Sequence, residues 1–221
     1  MHWSNVPAYM PFLLDGAKMT VVITVLSLLV STPLGLMWAF CTISKISWLI
    51  VPVTAMVNAV RALPMLVLLF YIYFVFPDIG IKLTSLQACI AGLGFAYSTY
   101  ISEIFRSGIE SIDQGQLEAA RSIGMSTVKA MYRVILPQAF RVALPPYSNT
   151  LLMLLKDSAI ASTIAVTEVT RQGQLIAFST FDNTTVYTMV ACFYLIMGMP
   201  LIRLTKILES RFGRHKRGSK S

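Results

Sequence analysis

The sequence predicts an all-α membrane protein in which five transmembrane helices are interrupted by one long cytoplasmic loop. Composition is the first reason. The chain has 221 residues, of which 56% are hydrophobic and 13% charged, and its mean hydropathy is +0.69. A soluble domain lies nearer half apolar and a quarter charged. The second reason is local. Residues 19–44, 83–102 and 183–202 contain no Asp, Glu, Lys or Arg, and each is long enough to cross roughly 30 Å of hydrocarbon as a helix. The third is the placement of charge, which fixes orientation once the spans are drawn.

The first span is expected at residues 19–43, after a polar-aromatic start; it is too long for the core of a cleaved signal and reads as a retained span. A short turn at 44–48 leads to a second span at 49–76, with Pro52 and Pro64 as bends. "PDIGIKLT" is a loop, because Pro77, Asp78 and Gly80 are turn formers. The third span is 85–105, the fourth 147–166 after Pro145-Pro146, and the fifth 184–208, with a second outer excursion between the last two. The loop then covers 106–146 and a basic tail 209–221, all within one domain, 1–221. Placing the tail, the loop and Lys45 in the cytoplasm collects 13 of the 18 Lys and Arg residues there. Lys18, Lys82 and Arg171 remain outside, and Arg61 and Lys156 fall within spans. The bias puts the N-terminus outside and the C-terminus in the cytoplasm.

Net charge of +8 invites a nucleic-acid reading, but the cations sit beside membrane segments rather than in a patch of their own, which excludes it. Cys41, Cys89 and Cys192 are isolated in apolar runs, so neither a disulfide framework nor a metal site is indicated. His2 and His215 lie in terminal segments, which leaves no paired base for a nucleophile. The tail "GRHKRGSKS" nearly matches a phosphate loop, yet Ser219 separates Gly218 from Lys220-Ser221 and no helix follows. It reads as a basic tail at anionic lipid. The aromatics Tyr71, Tyr73, Phe74 and Phe76 read as an interfacial belt, and the methionines as packing.

The loop contains "GQLEAARSIGMSTVKAMYRVILPQAFRVALPP", residues 115–146. Leu117, Ala120, Gly124, Val128, Met131 and Ile135 recur at steps of three and four and predict one helical stripe. Glu118, Arg121, Lys129 and Arg133 lie off it. Gly124 suits a helix C-terminus with positive φ, Ser126 an N-cap, and Pro137 an end or kink. The stripe is thin and built of Ala and Gly, whereas a lipid anchor prefers Trp, Phe and Leu. It therefore suits close packing of its small face against another protein.

"EAARSIG", nine further residues and then "VILP" resemble the EAA loop of ABC importer permeases, with Val134 at the usual Ile position. "VRALPMLVLLFYIYF", "AYSTYISEIFRSGIESIDQGQLEAA", "LPQAFRVALPPYSN" and "LLKDSAIAS" extend the resemblance to the polar amino-acid uptake permeases (histidine, glutamine, glutamate, arginine, opine and cystine type) over roughly residues 12–208. The resemblance implies a type I ABC importer transmembrane fold in a bacterial inner membrane. It implies a coupling helix, with Glu118, Ala119, Ala120, Arg121, Gly124, Leu136 and Pro137 as the residues docking a cytoplasmic ATPase. It further implies a second permease subunit (identical or similar), two ATPase copies and an external solute-binding protein. ATP and magnesium would be bound by the ATPase, with no cofactor in this chain and no catalysis by it. Two departures stand out: Leu63 replaces the usual Thr, and Ala96 sits where Asn is common.

Ionisable groups at membrane depth each cost about 2.5–3.5 kcal/mol facing lipid, so they are expected to face protein or a water-filled cavity. Tyr100 and Glu103 share a helical face with Ala96; Asn149, Met153, Lys156 and Asp157 share another. Arg61 and Glu103 admit two readings, a structural pair near the interface or part of the substrate route. Lys156 and Asp157 are assigned to the route, as are Tyr100 and Asn149. The functional expectation is the permease subunit of an ATP-driven importer for polar amino acids or relatives such as opines or cystine. The rivals are a permease for another small solute such as methionine, and an ATP-independent channel or secondary carrier, which the EAA spacing opposes.

Overall fold

The computed structural model describes residues 3–44 and 46–212. His2, Lys45, His215 and the tail cations Arg214, Lys216, Arg217 and Lys220 lie outside them, as does the near-miss phosphate loop. Every regular element among the described residues is helical. Three helices are long and apolar enough to cross a membrane, and two bent pairs meet the same test when each pair is taken together.

The first of the three, α1 (Val6–Ile43), begins well before the expected residue 19. The polar-aromatic start is itself helical, with Pro7 in the first turn, where its missing N–H would have had no intrahelical partner. Its buried face is made of small residues, among them Gly16, Thr20, Ser27, Ser31, Gly35 and Ala39. The hydroxyls of Thr20 and Thr24 donate to the carbonyls of Gly16 and Thr20 at 3.1 and 2.8 Å, so they cost little inside apolar surroundings. The Gly35 stretch of that face packs along α4 (Ser85–Glu110), itself started by a Thr84–Gln87 capping box, whereas Gly16 and Thr20 meet Glu168 and Val169. The two backbones approach so closely that a Cβ on Gly35 would lie 2.6 Å from Ile101 Cγ2 and 2.8 Å from the Ser98 carbonyl. Small residues that let helices touch are how membrane helices associate without a hydrophobic driving force between them.

Between these helices lie α2 (Ser47–Ala62) and α3 (Met65–Phe70). The expected second span bends far more at Pro64 than a kink: the segments on either side are 105° apart. Leu63 is pushed extended by the following proline (ψ 138°), which ends α2. The chain continues past α3 through a π-turn at Tyr71–Val75 and a 3₁₀ turn at Phe76–Ile79.

The loop region is more helical than expected. Beyond α4 come α5 (Gln114–Ser122), α6 (Thr127–Ala130) and α7 (Leu136–Asp157). The expected fourth span began after Pro145-Pro146; both prolines instead lie inside α7. Pro137 neither ends nor starts a separate span, because a π-turn at Met131–Ile135 carries the helix from α6 into α7 and leaves the proline in the first turn of α7. A 3₁₀ turn (Ser158–Ile164) then leads to α8 (Val169–Thr180), bent 48° from the preceding segment, and to α9 (Asn183–Phe212). Fully buried Glu168 caps α8, accepting the Thr170 and Arg171 N–H groups at 2.8 Å each and the Tyr194 hydroxyl at 2.9 Å. So the expected outer excursion is a packed helix tied to α9, with Thr20 of α1 accepting the Val169 N–H at 3.3 Å.

Candidate functional site

Two regions gather the residues singled out from the sequence, and they lie on different parts of the chain. The first is a cleft beside α4. Tyr97, Tyr100, Glu103 and Arg106 follow one another at about one turn each, a row that winds around that helix rather than lying on one face. Arg61, at the last turn of α2, reaches this row. Its Nη1 lies 3.5 Å from Glu103 Oε2, and its guanidinium sits 5.5 Å from the centroid of the Tyr100 ring. Arg106 binds the same carboxylate at 2.8 Å and Glu110 at 2.7 Å. Glu103 thus faces two guanidinium groups, and the charge at membrane depth is paired on both sides, as burial of ions demands. Arg61, Tyr100 and Glu103 line a cleft of about 490 Å³ that runs on to Val142, Pro146 and Thr150 of α7.

Across Tyr100 lies a smaller pocket of about 90 Å³. It forms where the α2–α3 break pulls backbone away from α4, and α7 brings Met153 and Asp157 to its wall. Asp157 Oδ2 accepts the Tyr97 hydroxyl at 2.6 Å, the short distance expected of an O–H donated to a carboxylate. Leu63 and Ala96, the two departures noted in the sequence, both line this pocket, with Met65 and Val60.

The structure therefore brings Arg61, Tyr100, Glu103 and Asp157 around two cavities that share Tyr100 and leaves two expected partners out. Lys156 is exposed and lines neither cavity, because it falls about 100° around the helix from Asp157. Asn149 is likewise exposed; its amide lies 4.0 Å from the Met153 sulfur and lines neither cavity. Tyr97 and Arg106 went unnoticed in the sequence. Each lies one turn from a residue already singled out, Tyr97 before Tyr100 and Arg106 after Glu103, and that i, i+3 neighbourhood was the signal that could have found both.

The second region is the turn between α5 and α6. Asp113 caps α5 by accepting the Gly115 N–H at 2.7 Å, and Ser126 caps α6 through the Lys129 N–H at 3.3 Å. Gly124 has φ +81°; the Met125 N–H donates to the Ala120 carbonyl at 3.1 Å and the Gly124 N–H to that of Arg121 at 2.9 Å. This pair of bonds is the glycine helix stop that the sequence called for. The expected single stripe is not formed. A left-handed residue at Gly124 resets the helical phase, so α5 folds back and Ala120, Ala130 and Ile135 are buried within the chain itself. What points outward instead is Ile123, Val128 and Tyr132, exposed by 75%, 69% and 69%. Around them Glu118, Ala119, Arg121, Gly124, Lys129, Arg133 and Pro137 are also exposed, and Leu136 is half-buried. Three cations thus flank an apolar knuckle.

Residues 31–214 match the family model of the binding-protein-dependent transport system inner membrane component. The chain belongs to that family. Curated relatives agree along nearly their whole length. A probable amino-acid ABC transporter permease of Bacillus subtilis (strain 168), YckA, is 36% identical over 93% of this chain and 91% of its own. The L-cystine transport system permease TcyB of the same organism is 36% identical over 94% of this chain and 89% of its own. The crystal structure of an amino acid ABC transporter with histidines superposes with a TM-score of 0.90, at 32% identity, covering 96% of this chain and 99% of that one. This permease is thus a membrane transport subunit, and its family implies ATPase and binding-protein partners.

Proposed function

We propose that this permease moves polar amino acids, or relatives such as cystine or opines, into the cytoplasm by alternating access driven by partner ATPases. The observation that carries the amino-acid reading is the pair of cavities that meet at Tyr100, which offer a guanidinium at Arg61 and a carboxylate at Asp157. An α-amino acid needs both, a cation for its carboxylate and an anion for its ammonium. The names of the relatives support the same class of solute. Arg61, Tyr100, Glu103 and Asp157 form the substrate route in this reading. Glu103 holds Arg61 in place rather than meeting the solute, because its oxygens already face Arg61 and Arg106.

Five crossings follow if each bent helix pair spans the membrane once, with the N-terminus outside and the α5–α6 turn in the cytoplasm. The turn serves as the coupling helix of a type I ABC importer fold, with Ile123, Val128 and Tyr132 entering an apolar groove on the ATPase and Arg121, Lys129 and Arg133 meeting an acidic rim. A second permease subunit, two ATPase copies and an external binding protein complete the importer; ATP and magnesium are bound by the ATPase. Reconstitution of the permease with that ATPase and binding protein tests the proposal: accumulation of labelled glutamine or cystine should require ATP. Accumulation at the same rate without ATP would overturn it.

A further inference from the structure

Another side of α7 borders a strip of different chemistry. Between α1, α4 and α7 lie cavities of about 120 and 220 Å³ that share Leu36, Phe105 and Phe140. Buried Phe105 makes the floor, its ring 6.1 Å from those of Phe140 and Tyr147. Half-exposed Phe40 and Phe140 stand at the rim. Of the lining residues only Thr32 and Tyr147 carry hydroxyls, and these bond each other at 2.8 Å across the gap between α1 and α7. Thr32 also donates to the Leu28 carbonyl at 2.8 Å. A water here would lack the two to four polar partners it needs. The strip is built for hydrocarbon.

Its length and its edge say which hydrocarbon. From Thr32 to Phe40 the strip follows α1 for a rise of about 12 Å, close to the roughly 15 Å depth of one leaflet. The Phe40 end lies beside the end of α1 at Ile43, which is the cytoplasmic end in the orientation proposed above. At the edge stands Arg141, exposed, directly after Phe140 and one turn before Leu144. It has no hydrogen bond or ion pair with any described residue. A bare guanidinium at this depth is costly against lipid tails, but its long stem lets the charge reach the headgroup layer. We propose that the strip holds an acyl chain of an anionic phospholipid from the cytoplasmic leaflet, whose phosphate pairs with Arg141. Arg–phosphate pairing is charge-assisted and can be bidentate, so one lipid satisfies both the apolar strip and the unpaired cation. A second copy of this chain fits less well. A two-fold contact there would set the strip and Arg141 against themselves, and no acidic residue lines the strip.

The test is lipid binding to the intact permease–ATPase complex, delipidated in mild detergent. Native mass spectrometry counts bound lipid during titration with dioleoyl phosphatidylglycerol or with dioleoyl phosphatidylcholine. Wild type should bind the first phosphatidylglycerol about fivefold more tightly than phosphatidylcholine, and added salt should shrink that preference. Arg141→Gln, at an exposed position, should bring the two lipids within about twofold of each other. Leu36→Trp, which fills the strip from a half-buried position, should weaken both lipids about tenfold or more. Equal binding of the two lipids by wild type overturns the proposal. So does a preference retained in Arg141→Gln, or lipid binding unaltered in Leu36→Trp. A Leu36→Trp complex that loses its second permease subunit, with Arg141→Gln binding lipid as wild type does, would give the strip to a second copy instead. Binding is read without transport, so the result stands apart from the choice of solute.

Discussion

Asp157 is tethered by one hydroxyl, that of Tyr97, at 2.6 Å, while its neighbour Lys156 points away from both cavities. The two charges adjoin in sequence and part in space, so their substitutions should diverge. Removing an interaction with a charged partner costs about 1.5–3 kcal/mol, or roughly one to two decades in affinity. Asp157→Asn should lower uptake by about that factor, with assembly and basal ATPase activity kept, whereas Lys156→Met should stay within about twofold of wild type. Equal losses in the two variants, measured as initial uptake rates in the same vesicles, would return Lys156 to the route. Gly124 gives a second residue-level expectation. A Cβ there would meet nothing within 4 Å, so steric clash inside the chain is absent and the cost is the left-handed backbone alone, about 1–2 kcal/mol. Gly124→Asp should therefore reduce ATPase retained per permease about five- to thirtyfold, while Gly124→Asn, which tolerates φ +81° better, loses less. Full retention in Gly124→Asp would deny the turn a coupling role. Both the glycine stop and the Ser126 cap were legible in the sequence because they depend on neighbours a few residues away. The separation of Lys156 from Asp157 was not, since it depends on which face of α7 meets α4.

At the scale of elements, glycines decide how near the helices come. Gly35 and Gly198 are a matched pair for a test. A Cβ on Gly35 would stand 2.6 Å from Ile101 and one on Gly198 3.4 Å from Leu152, an ordinary contact. Gly35→Ala should destabilise the α1–α4 packing by about 1–3 kcal/mol, seen as a lower thermal midpoint in detergent, and Gly198→Ala should change it little. Similar midpoints for the two would show that α1 and α4 can part without cost. Helix existence was legible here from charge-free runs, but helix continuity was not. Pro64 produced a 105° break and Pro137 none, although both are prolines in apolar surroundings. The difference lies in the chain ahead of each: Leu63 turned extended and ended α2, whereas a π-turn at Met131–Ile135 re-routed the backbone before Pro137. The same re-phasing at Gly124 explains why the anticipated stripe came apart, turning Ala120 inward and Val128 outward. Periodicity reads a face correctly only within an unbroken helix.

For the whole molecule, three long helices and two bent pairs give five alternating crossings if each pair spans the membrane once. Reporter fusions after Ile79, Gln138 and Asp182 should read outside, cytoplasm, outside; an external signal after Gln138 would move the α5–α6 turn away from any cytoplasmic ATPase. With the turn inside, α7 is the continuous element that runs from just beyond the apolar knuckle at Ile123, Val128 and Tyr132 to Asp157 beside the proposed substrate route. In the proposed function, solute movement through this permease is driven by ATP hydrolysis on a partner. Proteoliposomes holding the permease with its ATPase, given external binding protein loaded with labelled glutamine or cystine, measure it in one experiment. Accumulation above the external concentration should occur with ATP and magnesium inside or at the ATPase face, and should fall to the leak level with a non-hydrolysable analogue or with Val128→Asp in the knuckle. Accumulation at the same rate without nucleotide, or without the ATPase, would contradict the claim and make this chain a carrier that works alone.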